Sequence, residues 1–231
     1  MVRRVSNSEI KTVFLRIRKF LGETKAVVQR KKAFEVLIST VLSQRTKDET
    51  TGKVSEELFS KYKTAKQLAS APIPKIEKLI YGSGFYRTKA KRINQISKIL
   101  IEKYNGKVPR DFDKLISLPG VGRKTANCVM VFAFGSNAHI PVDTHVHRIS
   151  NRLGWVKTAN PEETELALKK LVQQRYWHDL NELFVKFGQV CCLPRNPKCR
   201  ICKISEFCPY CPYAPQREPK SLVKIPKISP K

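Results

Sequence analysis

Apolar residues recur at helical spacing along almost the whole chain. Ile10, Val13, Phe14, Ile17 and Leu21 fall on one side of a helix, with Glu9 in its first turn, where an acid suits the positive end of the dipole. Phe34, Leu37, Ile38, Val41 and Leu42 mark a second helix. Thr46, followed by Glu49, reads as a capping box opening a third, which carries Val54, Leu58 and Tyr62. A longer stripe of Ala90, Ile93, Ile96, Leu100 and Tyr104 stops at Asn105-Gly106. Asn160-Pro161-Glu162-Glu163 is a helix start: a cap residue, Pro at the first position, then two acids. Residues 177–190 read as another helix. No alternation of apolar and polar positions is bounded by hairpin turns, so the pattern predicts an all-α fold with little β-structure. From about residue 212 to 231, Pro and Lys dominate with little to bury, which predicts a flexible basic tail.

Length adds only that 231 residues can form one large domain or two small ones. Charge changes the picture more. Lys and Arg number 45 against 19 Asp and Glu, leaving +26. Such an excess suits a polyanion, nucleic acid first, with a Lys-rich solvated surface as the plain alternative. The longest apolar run, Cys128 to Phe134, falls far short of the ~18 residues a spanning helix needs, so no membrane partner is expected. Six of the seven Cys lie between Cys191 and Cys211, and Cys128 stands alone in an apolar stretch. That clustering predicts a metal site in a reducing compartment rather than a secreted disulfide framework. The first helix is rich in Arg, as a mitochondrial address would be, but its regular apolar spacing favours a folded helix.

Leu118-Pro119-Gly120-Val121-Gly122-Arg123-Lys124-Thr125 joins two helical stretches, 111–117 and 123–134. Glycines at alternate positions allow a tight turn and a close backbone approach. The turn leads into a helix N-terminus, whose free N–H groups suit a phosphate. Asp143 stands where a helix over 144–153 would begin, an ordinary N-cap position.

The hairpin string resembles the helix–hairpin–helix motif, and the chain resembles the endonuclease III family of base-excision glycosylases. The resemblance covers roughly residues 10–211. It rests on three motifs in order: the hairpin with Lys124, the segment Val142-Asp143-Thr144-His145, and the cysteine cluster. It implies two helical domains with DNA across the cleft between them. Residues 25–137 would form a helical barrel holding the hairpin, and 1–24 plus 138–211 a cluster-bearing domain. It further implies a monomeric enzyme acting on double-stranded DNA that carries damaged bases or abasic sites. The setting would be intracellular, in cytoplasm or nucleoid, with nucleus and mitochondrion also open.

Under that resemblance Lys124 is the nucleophile that attacks C1′ of the sugar, forms an imine and leads to β-elimination. The first turn of a helix and the neighbouring Arg123 would both lower its pKa. Asp143 is the carboxylate beside the developing oxocarbenium ion. His145 matches a family His, with a structural role equally open. Gly120, Val121, Gly122 and Arg123 would meet the DNA backbone. Cys192, Cys199, Cys202 and Cys208 reproduce the family's C-x6-C-x2-C-x5-C spacing for a 4Fe-4S cluster. A shorter zinc set, Cys199, Cys202, Cys208 and Cys211, can also be drawn. Arg195 and Lys198, between the first two ligands, would face phosphate.

Base extrusion requires side chains that fill the gap. In the family a Gln before a Thr and a Leu before a Tyr do so. Here Gln44-Arg45-Thr46 places Arg45 in the Gln position, and Gly84-Phe85-Tyr86 places Phe85 in the Leu position. Ile116 replaces an acid found in the bacterial enzyme. The resulting expectation is a bifunctional DNA glycosylase and abasic-site lyase for oxidised or ring-saturated pyrimidines. A thymine or uracil mismatch glycosylase with lyase activity, and a non-catalytic iron–sulfur DNA-binding module, are the alternatives.

Overall fold

Ser6 opens the first helix, its Oγ accepting from the Glu9 amide at 3.1 Å, so an orphan donor of the first turn is satisfied. The computed structural model describes residues 5–22 and 32–213. The expected domain boundary near residue 24, and the expected tail apart from 212 and 213, lie outside the described residues. The elements are α1 (Asn7–Phe20), α2 (Ala33–Ser43), α3 (Asp48–Lys61), α4 (Ala65–Ser70), α5 (Ile73–Leu79) and α6 (Tyr86–Tyr104). They continue with α7 (Phe112–Ile116), α8 (Arg123–Phe132), α9 (Thr144–Arg152), α10 (Pro161–Leu171) and α11 (Trp177–Val190). Short 3-10 turns follow at Cys199–Ile201 and Ser205–Phe207, and no strand occurs among the described residues.

Local signals set most helix ends. Asn160 caps α10, its Oδ1 taking the Glu163 amide at 2.9 Å, and Glu163 reaches back to the Ala159 amide at 2.9 Å. At the end of α6, Asn105 (φ 52°) and Gly106 (φ 75°) turn left-handed, and the Gly106 amide bonds Leu100 O at 2.8 Å. One expected start is corrected. Thr46 does not cap α3; the helix begins at Asp48, after Lys47, without a side-chain cap. Thr46 Oγ1 instead accepts from Lys89 Nζ at 2.7 Å and the Gly84 amide at 3.2 Å. Partners distant in sequence outcompete the local box.

The buried side chains form two cores. The first gathers α2–α8 around Leu37, Ile38, Leu42, Leu58, Ile93 and Val129. The second joins α1 to α9, α10 and α11 around Phe14, Ile17, Ile149, Trp155, Phe184 and Phe187. The Phe14 ring meets Trp155 and Phe184 edge-on, each at 5.9 Å. Each fully buried side chain of this size contributes ~1.5–3 kcal/mol relative to exposure. The chain thus begins in the second core, crosses to build the first, and returns.

Candidate active site and cysteine cluster

Two adjoining hollows, of about 1190 and 450 Å³, lie between the cores. The first core lines them with the end of α2, the loop 44–47 and the start of α8; the second with the start of α9 and the end of α11. Lys124 and Asp143 line both hollows.

Gly120, at φ 76°, makes the hairpin, and a Cβ there would lie 2.7 Å from Arg92 Cδ. Gly122 precedes α8 and faces open space, so the α8 amides are approachable. Val121 is only 4% exposed and packs into the first core. Of the expected DNA-facing string it can therefore offer backbone, not side chain. Arg123 turns toward the other core: its Nη2 lies 3.3 Å from the buried Glu165 carboxylate, and its guanidinium covers Phe112 at 5.1 Å.

Lys124 occupies the first turn of α8 and is half-buried. Burial pushes its pKa down, whereas Cys128, Asp143 and Asp48 push it up, and the balance is upward. That is opposite to the lowering expected from the helix end and Arg123. Burial also raises Cys128, while Lys124 beside it pulls it back down. The carboxylates of Asp143 and Asp48 add to the hold on the ammonium, after Cys128. Sequence reasoning missed Cys128 and Asp48 as neighbours of Lys124, although Cys128 lies one turn beyond it on the same helix.

Asp143 caps α9 through one oxygen: Oδ1 accepts from the His145 amide at 2.9 Å and the Val146 amide at 2.8 Å. Oδ2 takes no part in the cap. His145 is half-buried, with Nδ1 3.1 Å from Arg148 Nη2. Burial lowers its pKa, and Arg148 adds to the lowering. Gly188 of α11 lies so close that a Cβ there would collide with the His145 ring. Arg148 also bonds Gly188 O (3.2 Å) and Cys192 O (2.8 Å), so the His145–Arg148 pair ties α9 to α11.

Gln44 points at the hairpin, its Nε2 bonding Gly120 O at 2.9 Å. Arg45 (φ 52°) and Phe85 (φ 59°) are both exposed and both left-handed. Phe85 is 62% exposed, and the Arg45 guanidinium sits 5.4 Å from its ring centre. The two candidate wedges come from separate loops yet form one projection.

Cys191, Cys192, Cys199, Cys202, Cys208 and Cys211 all line one small cavity with Ile149, Leu153 and Phe187. Among the described residues no group of three His, Cys, Asp or Glu side chains converges as a single ion would require. Six thiols around one cavity supply an all-sulfur donor set, which suits an iron–sulfur cluster or zinc. Donors already face the sulfurs: Arg152 Nη1 lies 3.3 Å from Cys192 Sγ. The backbone amides of Ile204 beside Cys202, and of Tyr210 and Cys211 beside Cys208, act to lower those thiols' pKa. Such bonds stabilise thiolates held by a metal. Without one, burial raises Cys199 to about 11 and Cys208 to about 12, so metal binding must displace protons. Arg195 and Lys198 are exposed on the loop entering this cavity.

Comparison with known proteins agrees with this geometry. Residues 38–174 match the family described as HhH-GPD superfamily base excision DNA repair protein. An endonuclease III of Thermotoga maritima is 57% identical over 166 residues, covering 72% of this chain and 78% of that one. A trapped endonuclease III–DNA covalent intermediate in an estranged-adenine complex aligns with a TM-score of 0.80 at 36% identity, covering 90% of this chain and 97% of that chain. A thermostable thymine-DNA glycosylase aligns with a TM-score of 0.75 at 30% identity, covering 88% of this chain and 97% of that chain. With its sequence, its fold and its hairpin all agreeing, the chain belongs to the endonuclease III family of HhH-GPD base-excision DNA repair proteins.

Proposed function

We propose that this chain is a bifunctional base-excision repair enzyme: a DNA N-glycosylase for oxidised or ring-saturated pyrimidines that also cleaves the resulting abasic site. The observation that carries this reading is the meeting of Lys124 and Asp143 in one cleft between two cores. Lys124 Nζ, once it has given up a proton, bonds to C1′ as the N-glycosidic bond breaks and the base leaves with the bonding electrons. Asp143 faces the positive charge that develops on the sugar and is within electrostatic reach of the ammonium. The sugar opens to a protonated imine on Lys124. Loss of a C2′ proton then expels the 3′ phosphate, and water releases the lysine. Single-turnover assays with thymine glycol, G·T and G·U duplexes test the substrate class. Excision confined to the mismatches would replace this reading with a mismatch glycosylase.

The exposed cations Arg45, Arg195 and Lys198 suit a duplex lying across the cleft. We assign residues 25–137 to the helical-barrel domain and 1–24 plus 138–211 to the cluster domain, the protein working as an intracellular monomer. No helix among the described residues is long and apolar enough to cross a membrane.

Cys192, Cys199, Cys202 and Cys208 would hold a 4Fe-4S cluster, with Cys191 and Cys211 beside it. The cluster would brace the 192–208 loop and its cations; no step of the reaction needs it. Aerobically purified protein should be brown, with about four iron per chain. Colourless protein with one zinc would move the ligand set to Cys199, Cys202, Cys208 and Cys211.

Arg45 and Phe85 would fill the gap left by the extruded base. An aromatic ring recovers stacking, and a guanidinium can donate two hydrogen bonds to guanine. Arg45→Ala should therefore flatten a preference for lesions opposite guanine, while Phe85→Ala should slow excision opposite every base. An unchanged opposite-base profile in Arg45→Ala would leave Arg45 a phosphate contact or a solvated charge.

A further inference from the structure

Lys89 is the outstanding buried cation of the first core. It lies in the first turn of α6, is 2% exposed, and makes no ion pair among the described residues. Its Nζ bonds Leu42 O at 2.6 Å and Thr46 Oγ1 at 2.7 Å. Leu42 belongs to the last turn of α2, where carbonyls lack helical partners and the dipole is negative. No basic residue of α2 itself serves that turn. Thr46 Oγ1 also accepts from the Gly84 amide at 3.2 Å. One hydroxyl thus joins the loop carrying Arg45 to the loop carrying Phe85.

The loops approach so closely that a Cβ on Gly84 would lie 2.6 Å from Arg45 O. On either side of this junction stand the left-handed residues Arg45 and Phe85. A non-glycine left-handed residue is strained and persists only where its surroundings hold it. Burial pulls the Lys89 pKa down to about 8, as befits an ammonium compensated by a carbonyl and a hydroxyl rather than a carboxylate.

We propose that Lys89, acting through Thr46, is a positioning residue that sets Arg45 and Phe85 as one rigid unit for entry into the DNA. The proposal rests on the wedge role given above to those two side chains. Gln44, bonded to Gly120 O from the same loop, extends the connection to the hairpin that carries Lys124. Lys89 touches no DNA in this arrangement; it fixes the distance from the wedge to the nucleophile.

The test uses Lys89→Met, which keeps length and loses the donors, and Thr46→Val, which keeps shape and loses the hydroxyl. Single-turnover excision of one lesion is measured opposite each of the four bases, beside cleavage of a preformed abasic site. Excision should fall about tenfold or more in Lys89→Met, the cost of a small misplacement, and the opposite-base profile should flatten as in Arg45→Ala. Abasic-site cleavage should change less than about threefold, because an abasic sugar needs little unstacking. In a Phe85→Ala background, Lys89→Met should add little, since residues acting through one another are not additive. Equal slowing of excision and abasic cleavage, or full additivity, would make Lys89 general support for the fold and overturn the proposal. If Lys89→Met does not fold, Thr46→Val decides, with the same outcomes. If Arg45→Ala and Phe85→Ala change nothing, the wedge role fails and the clamp with it. If they act while Lys89→Met and Thr46→Val leave excision intact, the clamp alone fails.

Discussion

Lys124→Gln protein should bind duplex DNA carrying an abasic site but yield no covalent adduct on addition of borohydride. Wild-type protein should give the adduct in high yield, because reduction freezes the imine between Nζ and C1′. Glutamine fills similar space in the first turn of α8 and cannot form an imine. The fold should survive, since the position is half-buried and the two cores do not rest on it. Strand cleavage should fall by at least about a thousandfold, as for loss of other covalent nucleophiles. Binding should weaken far less, because the backbone amides and the remaining cations stay in place. Adduct at full yield from the variant would put the nucleophile elsewhere and would favour a module that only binds DNA.

The second large effect is expected from Asp143→Asn. Asparagine caps a helix about as well as aspartate, and its side-chain oxygen can keep the bonds to the His145 and Val146 amides. Thermal stability should therefore stay near wild type while the negative charge disappears. Two consequences follow for the reaction: the developing sugar cation loses its counter-charge, and the Lys124 ammonium loses one of the carboxylates holding it. Base excision should drop by about a hundredfold or more, ~2.7 kcal/mol of barrier. The variant separates the two roles of one side chain, because Oδ1 serves the cap and Oδ2 does not. Excision within about tenfold of wild type, ~1.4 kcal/mol, would leave Asp143 as a cap only.

Short-range signals were legible in the chain. The starts of α1 and α10, the left-handed end of α6 and the span of α11 follow from caps, prolines and apolar spacing. Thr46 shows where such reading stops: its spacing to Glu49 fits a capping box, yet its hydroxyl is taken by Lys89 and Gly84. Lys89 itself left a trace. It lies four residues before Ile93, on the apolar stripe of α6, where a lysine must be buried or snorkel. Glu165 left a similar trace, three residues before Leu168 on α10; its i,i+4 spacing to Lys169 is readable in the sequence, but nothing there pairs it with Arg123. The motifs single out Lys124 and Asp143, which the fold brings into one cleft. The upward balance on Lys124 was not legible, because it sums burial against Cys128, then Asp143, then Asp48, and only the packed cleft brings the two carboxylates near.

The order in which the two cores are completed has a consequence during synthesis. Helices α2–α8 emerge as a block and can pack together as soon as Phe132 has left the ribosome. The apolar face of α1, with Ile10, Val13, Phe14 and Ile17, must wait for α9 and α11. More than 150 residues separate Phe20 from Trp177. At ~5–20 residues per second, that is on the order of ten seconds or more of exposure. A nascent chain stalled before α11 should therefore carry a finished first core and an unclaimed amphipathic helix, a ready target for chaperones.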